Sequence, residues 1–242
     1  YVGSRLVEYI SSKYKNYNLF GLDTGFFSNC LTGAEISPEV YLQKQYFVDL
    51  RDSKKLKIFD KIDAVVHLAA ISNDPIGNFN KKITNEINTI ASKKLIKYLI
   101  KNNNVQKIVF SSSCSIYGNT GSITKNENST LDPLTAYAKS KVDFEKFLIY
   151  FNGKINTTSL RFATACGISP RLRLDLVLND FVASAYFKNE IDILSDGEAY
   201  RPLIDTYDMC KAIDWALHRD NNKNYVCVNV GSKKNNYKIK EL

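Results

Sequence analysis

The sequence predicts a doubly wound α/β domain, a parallel sheet with helices on both faces. Three observations carry this reading. Short apolar, β-branched runs alternate with helical patterns up to residue 161, which is the rhythm of βα units. At 242 residues and 44% hydrophobic content, the chain can bury a sizeable core as one large domain, or as one domain with a small appendage. The longest apolar stretches, such as 64–71, are broken by His67 and fall short of the ~20 residues that a membrane-spanning helix needs.

The elements follow in order. Tyr1-Val2-Gly3-Ser4 leads into a helix over 4–15 with no strand before it. Residues 19–23 and 46–49 read as strands ending in Asp23 and Asp49, and 64–69 as a third strand. A helix over 83–101 carries an apolar face of Leu95, Ile96, Leu99 and Ile100. A strand over 107–112, a helix over 137–151 and a strand over 157–161 complete the alternation. Beyond Arg161 the rhythm loosens into an irregular stretch over 162–173, a helix over 174–187, a short strand over 191–194, a helix over 207–217 and the beginning of a helix at 239–242. This part reads as a substrate-capping region inserted on the same core. A parallel sheet without its first strand would be poorly built, so the expectation is a fragment lacking that strand and the C-terminal end.

Composition narrows the class. Five cysteines, an odd number without paired spacing, and no charged start followed by an apolar segment and a cleavage site fit reduced thiols in a cytoplasm. Two histidines and no Cys-x-x-Cys argue against a zinc site, and no metal is expected. The net charge of +8 is carried by scattered lysine pairs such as Lys81-Lys82, Lys93-Lys94 and Lys233-Lys234. That pattern suits solvated faces and an anionic small substrate, not a nucleic-acid stripe.

The chemistry centres on Tyr137-Ala138-Lys139-Ser140-Lys141. Four-residue spacing puts Tyr137 and Lys141 on one helix face, one turn apart. A phenol ionises near pH 10 and is a poor base, but a neighbouring ammonium lowers the cost of its phenolate, so the pair can take a proton from an alcohol. Taken alone, the spacing also arises by chance as an exposed helical pair in a chain with 15 tyrosines. Val109-Phe110-Ser111-Ser112-Ser113 adds context: an apolar strand ending in hydroxyls, 24 positions before Tyr137. Open α/β sheets bind ligands at such carboxyl ends. Ser113 there can hydrogen-bond the reacting hydroxyl and the phenol together, or simply cap a turn. Asp23 stands 20 positions after Gly3, the spacing between the last glycine of a dinucleotide fingerprint and the acid that binds the adenosine ribose. A carboxylate would repel a 2′-phosphate, which favours NAD over NADP; a turn-capping Asp is the alternative.

Segments in order extend this. Gly3-Ser4-Arg5-Leu6, Gly21-Leu22-Asp23, Asp49-Leu50-Arg51-Asp52, His67-Leu68-Ala69-Ala70, residues 110–118, Tyr137 to Lys141, Leu160-Arg161-Phe162 and Arg201-Pro202 together resemble an extended short-chain dehydrogenase/reductase of the NAD-dependent nucleotide-sugar epimerase/dehydratase group. The resemblance implies a Rossmann-like NAD-binding domain over 1–165 and a mainly substrate-binding region over 166–242, with segments returning to the core. It implies Ser113, Tyr137 and Lys141 as the catalytic trio, with Tyr137 and Lys141 also touching the cofactor. Gly3, Asp23, Asp49, Leu50, Leu68, Ala69, Ala70 and Asn88 would serve the NAD site. Ser113, Ser115, Thr164 and Arg201 would face the nucleotide sugar, Arg201 gripping its diphosphate. A homodimer built through the helices over 83–101 and 137–151, a cytoplasmic setting and a place in polysaccharide biosynthesis also follow from it.

Departures from the family pattern sharpen the expectation. Only Gly3 of the three loop glycines is present. The Asp-Glu pair of 4,6-dehydratases is replaced by Cys114 and Ser115, and the cysteine of 3,5-epimerases by Ser115, so both activities are disfavoured. A diphosphate-touching asparagine is replaced by Thr164. The expected reaction is NAD-dependent oxidation at C4 of a nucleotide-linked sugar, by a 4-epimerase or 4-dehydrogenase. A 4-ketosugar reductase and a catalytically silent NAD-binding protein remain as alternatives.

Overall fold

The computed structural model describes residues 1–33, 36–52, 61–102, 104–119, 121 and 123–242. The chain opens on α1 (Val2–Lys13), then β1 (Phe20–Asp23) and β2 (Lys44–Phe47), which pair in parallel with Asp23 opposite Phe47. β3 (Ala64–His67), β4 (Lys107–Ser113), β5 (Asn156–Phe162) and β8 (Tyr225–Val230) form a second, four-stranded parallel sheet in the order β3-β4-β5-β8. Between β3 and β4 run α2 (Asp74–Phe79), α3 (Lys81–Asn85), a π-helical turn (Glu86–Ala91) and α4 (Ser92–Asn102); α5 (Ala136–Ile149) leads into β5. After it come β6 (Thr164–Cys166), α6 (Val177–Lys188), β7 (Tyr200–Asp205) and α7 (Thr206–His218). A third small sheet joins β6 to β7 in parallel and β7 to β9 (Asn236–Lys238) in antiparallel.

The period of two along β4 explains the double winding. Ile108 and Phe110 point into a core with Ile96, Leu99, Phe144 and Leu148 of α4 and α5, while Val109 points into another with Leu6 and Ile10 of α1 and Ile213 of α7. A strand covered on both faces commonly reads as a continuous apolar run, and residues 108–110 do. The carboxyl ends of β3 and β4 therefore open at one rim, where the functional side chains collect.

The strands over 107–113 and 156–162 and the helices α1, α5, α6 and α7 lie within a few residues of their expected bounds. Three expectations change. Residues 191–194 form no strand; Leu194 is 98% exposed, and an apolar run with no sheet edge to pair with stays irregular. The stretch over 162–173 contains β6, made regular by pairing with β7. The helix over 83–101 begins at Lys81 and is interrupted by the π turn, where the Ser92 hydroxyl donates to the Ile87 carbonyl (2.9 Å). β7, β8 and β9 lie outside the expected strands: β9 is three residues held by β7, whereas β8, Tyr225–Val230, carries the β-branched alternation Val226, Val228, Val230 that could have marked it.

Candidate active site

Tyr137 lies in the first turn of α5, whose start is fixed by side chains. Thr135 caps the helix, its hydroxyl accepting from the Ala138 amide (3.1 Å) and donating to Asp74 (2.6 Å), and Asn78 accepts from the Ala136 amide (3.0 Å). The short helix α2 thus holds the end of α5 that presents the phenol. Lys141, one turn further, is 4% exposed. Its ammonium donates to the Ser111 carbonyl on β4 (2.6 Å) and lies 5.2 Å from the centre of the Tyr137 ring and 4.7 Å from that of Phe110. Ser113, at the end of β4, accepts from the Ser115 amide (3.2 Å), which leaves its own hydroxyl proton for the Tyr137 phenol. The fold therefore brings the three residues together.

Their electrostatics depart from the simple expectation in one respect. Burial pushes the Tyr137 phenol up to about 12, against the hydrogen bond from Ser113 and the charge of Arg173; Asp74 and Cys114 add to the rise. Burial also pushes Lys141 down to about 7, opposed by Glu145. Desolvation outweighs the ammonium, which is turned toward the Ser111 carbonyl and the Phe110 ring. His67, buried at the end of β3 between Phe110 and Phe144, is held neutral by burial and by the charge of Lys141, with its ionisation pushed down to about 3.

The dinucleotide side is assembled from neighbouring strand ends. Asp23 closes β1 with an exposed carboxylate that accepts only from the Gly25 amide (2.7 Å) among the described residues. Gly25 has φ +78°, and a Cβ there would stand 2.5 Å from the Phe47 ring, so this turn requires glycine. Leu68, Ala69 and Ala70 follow β3, half-buried, and Gly3 of α1 packs beside Leu68. Asn88 does not reach the open rim: it accepts from the Ile71 amide (2.8 Å) and donates to the Ile71 carbonyl (3.0 Å) and the Ser140 hydroxyl (3.1 Å), tying the loop after β3 to α5. Both oxygens of Asp49 are taken by Arg51, which holds its carboxyl below the usual range, and Leu50 is buried in the core with Ile96 and Phe110.

On the substrate side, the Ser115 hydroxyl is buried without a hydrogen-bond partner among the described residues. Arg201, exposed on β7, exerts its charge on the Cys114 thiol, which burial pushes up to about 11. Thr164, half-buried on β6, pairs with Leu203 of β7.

Sequence reasoning missed the segment over 169–175, which crosses these loops. The Arg171 guanidinium donates to the carbonyls of Phe27 (3.0 Å) and Ser28 (2.9 Å), to the Ser4 hydroxyl (3.1 Å) and to Glu39 (2.9 Å). Arg173 donates to Ser72 (2.9 Å) and pairs with Asp175, which accepts from Asn73 (2.6 Å). Apart from Arg173 with Asp175, two positions on, these pairings join segments remote in the chain, so no local spacing in the sequence points to them. Arg171→Ala is expected to free the loop after Asp23 and weaken dinucleotide binding about tenfold, as one charge-assisted hydrogen-bond cluster is lost. Calorimetric titration with NAD checks this; unchanged affinity removes Arg171 from the support of that loop.

The donor set suits a dinucleotide: a carboxylate with free lone pairs at β1, small apolar residues after β3, and an ammonium with a single acceptor among the described residues at β4. A model of the NAD dependent epimerase/dehydratase family matches residues 1–231. The chain belongs to that family. NAD is accordingly its cofactor, and the protein is an enzyme of the extended short-chain dehydrogenase/reductase type. Among relatives of this family, a putative UDP-glucose 4-epimerase of Methanocaldococcus jannaschii is 27% identical over 245 residues, covering 97% of this chain and 74% of its own length. The fold matches the solved UDP-N-acetylglucosamine 4-epimerase of Methanobrevibacter ruminantium, in complex with UDP-N-acetylmuramic acid, with a TM-score of 0.79 at 26% identity over 100% of this chain and 76% of that one. It also matches the UDP-glucose 4-epimerase of Thermotoga maritima, solved with UDP-glucose, with a TM-score of 0.84 at 22% identity over 99% and 76%. Family membership confirms the α/β expectation and the NAD assignment. No described helix is long and apolar enough to cross a membrane.

Proposed function

We propose that the protein oxidises C4 of a nucleotide-activated sugar reversibly, as a 4-epimerase or 4-dehydrogenase. The observation that carries this reading is the convergence of Tyr137, Lys141 and Ser113 at the carboxyl end of β4. In this reading Ser113 orients the sugar hydroxyl and donates to the phenol, Tyr137 takes the hydroxyl proton, and Lys141 supplies positive charge and donors for a ribose. When bound, NAD supplies the acceptor for the C4 hydride. Asp23 would hold the adenosine ribose, with Leu68, Ala69 and Ala70 lining the groove. Ser115 and Arg201 would face the sugar nucleotide, the orphaned Ser115 hydroxyl finding its partner there. Cys114 and Ser115 offer no carboxylate for removing water across C5 and C6, which favours epimerisation or oxidation over dehydration. Residues 1–165 would form the NAD-binding unit and 166–242 mainly the substrate region, although β8 pairs with β5 in the central sheet. A homodimer through α4 and α5 accords with the exposed Ile90, Ile149 and Tyr150 on or beside those helices.

The test is incubation of the full-length enzyme with UDP-, GDP- and dTDP-sugars, following NADH absorbance and product stereochemistry. Inversion at C4 without net NADH marks an epimerase, and accumulating NADH a dehydrogenase. No turnover with NAD bound would overturn the reading. Asp23→Asn is expected to cut NAD affinity about tenfold and to narrow the preference for NAD over NADP, since a charge-assisted acceptor and a source of repulsion go together. Parallel binding titrations with both dinucleotides read this, and an unchanged ratio would remove Asp23 from cofactor selection.

A further inference from the structure

Next to the trio lies a buried charge pair that the chemistry above does not use. Glu145 and Arg161 are 4% and 6% exposed. The guanidinium clasps the carboxylate through Nε (3.0 Å) and Nη2 (2.7 Å), and its Nη1 donates to the Tyr117 hydroxyl (2.8 Å) and the Glu127 carbonyl (3.1 Å). The Ser112 hydroxyl donates to Glu145 (2.5 Å). The carboxylate therefore ties together three elements: α5, which carries Tyr137 and Lys141; β4, which ends in Ser113; and β5. It also stands four positions after Lys141, on the same helix face.

A buried ion pair contributes little net stability compared with an apolar replacement, so its retention calls for a different account. The groups that act on Lys141 suggest one. Facing it are His67 of β3, which is neutral; Tyr137 of its own helix; the Ser111 carbonyl and Phe110 of β4; and Glu145. Asp74, Cys114 and Arg173 act on Tyr137 beyond it. Glu145 is thus the carboxylate that opposes the desolvation of the buried ammonium, and Ser112 is the hydroxyl through which it also holds the end of β4.

We propose that Glu145 is a positioning residue that keeps Lys141 in its ammonium form and holds Ser113 in register with Tyr137. The proposal rests on Lys141 belonging to the catalytic trio. A cationic Lys141 is what lowers the cost of a phenolate once substrate is present, so Glu145 acts on the reaction through Lys141 without touching the sugar.

The experiment follows the titration of Lys141 directly, by NMR of the full-length protein labelled with carbon-13 at the lysine Cε, the signal being assigned with Lys141→Arg. Glu145→Gln keeps an acceptor for Ser112 and removes the charge. Its Lys141 is expected to bind a proton about tenfold more weakly than in the parent, the size of effect that one nearby charge produces. The alkaline limb of turnover should move to lower pH in step. Glu145→Asp should recover most of both shifts, which a merely structural role would not do. If Glu145→Gln does not fold, the doubly apolar Glu145→Met, Arg161→Met variant replaces it, with a smaller weakening in the same direction, because the cation that partly offsets the carboxylate is removed with it. A folded variant whose Lys141 titrates as in the parent overturns the proposal, as does a double variant that also fails to fold, since the pair would then be a stability element. Because the NMR signal needs no substrate, a shifted titration in an enzyme that turns over no sugar nucleotide would refute the proposed reaction and leave the role of Glu145 standing.

Discussion

Tyr137→Phe is expected to lower turnover by about 10²- to 10⁴-fold, the range that a positioned proton acceptor contributes. The substitution removes only the oxygen that receives the proton. The ring keeps its packing, Lys141 keeps its carbonyl partner on β4, and the strand ends that would hold the dinucleotide are untouched. NAD affinity should therefore stay nearly unchanged while the rate collapses. Single-turnover measurements of NADH formation, with a parallel NAD titration, separate the two quantities. Comparable turnover in the variant would take the phenol out of the mechanism. A parallel loss of NAD affinity would assign it to binding.

Arg161→Leu should have the largest effect on stability. It removes the guanidinium that clasps Glu145 and leaves a carboxylate buried between α5 and β4 with, among the described residues, only Ser112 as a hydrogen-bond partner. Breaking such a pair from one side costs about 3–5 kcal/mol, and for a chain of this size each kcal/mol lowers the melting temperature by roughly 2–4 °C. Thermal denaturation should show a drop of roughly 10 °C. Replacing both partners with methionine should recover most of that loss, because it is the unpaired charge that is expensive. An Arg161→Leu variant that melts with the parent would mean that water reaches Glu145 in solution.

Much of the central architecture was legible because it is written in local periodicity. A strand covered on both faces commonly reads as a continuous apolar run, and residues 108–110 do; a helix that covers a sheet needs one apolar stripe, and Leu95, Ile96 and Leu99 provide it. Tyr137 and Lys141 were legible for the same reason, since the i, i+4 relation is a property of the helix alone. The three-residue strands β6 and β9 were not legible, because what makes them strands is a partner far away in the chain, whereas β8 carries a β-branched signal of its own. Residues 191–194 show the converse, a strand-like run that found no edge.

The sequence by itself determined the α/β class, the order of the main units, and which residue types could move a proton between an alcohol and a buried base. The tertiary structure alone decided how those residues are charged and what supports them. The desolvation that raises the Tyr137 phenol and depresses Lys141, the opposing carboxylate of Glu145, and the arginines that bind the rim loops all depend on distances between segments remote in the chain. Local spacing encodes which faces meet, but burial and Coulomb interaction act through space, and they are set only when the segments have packed.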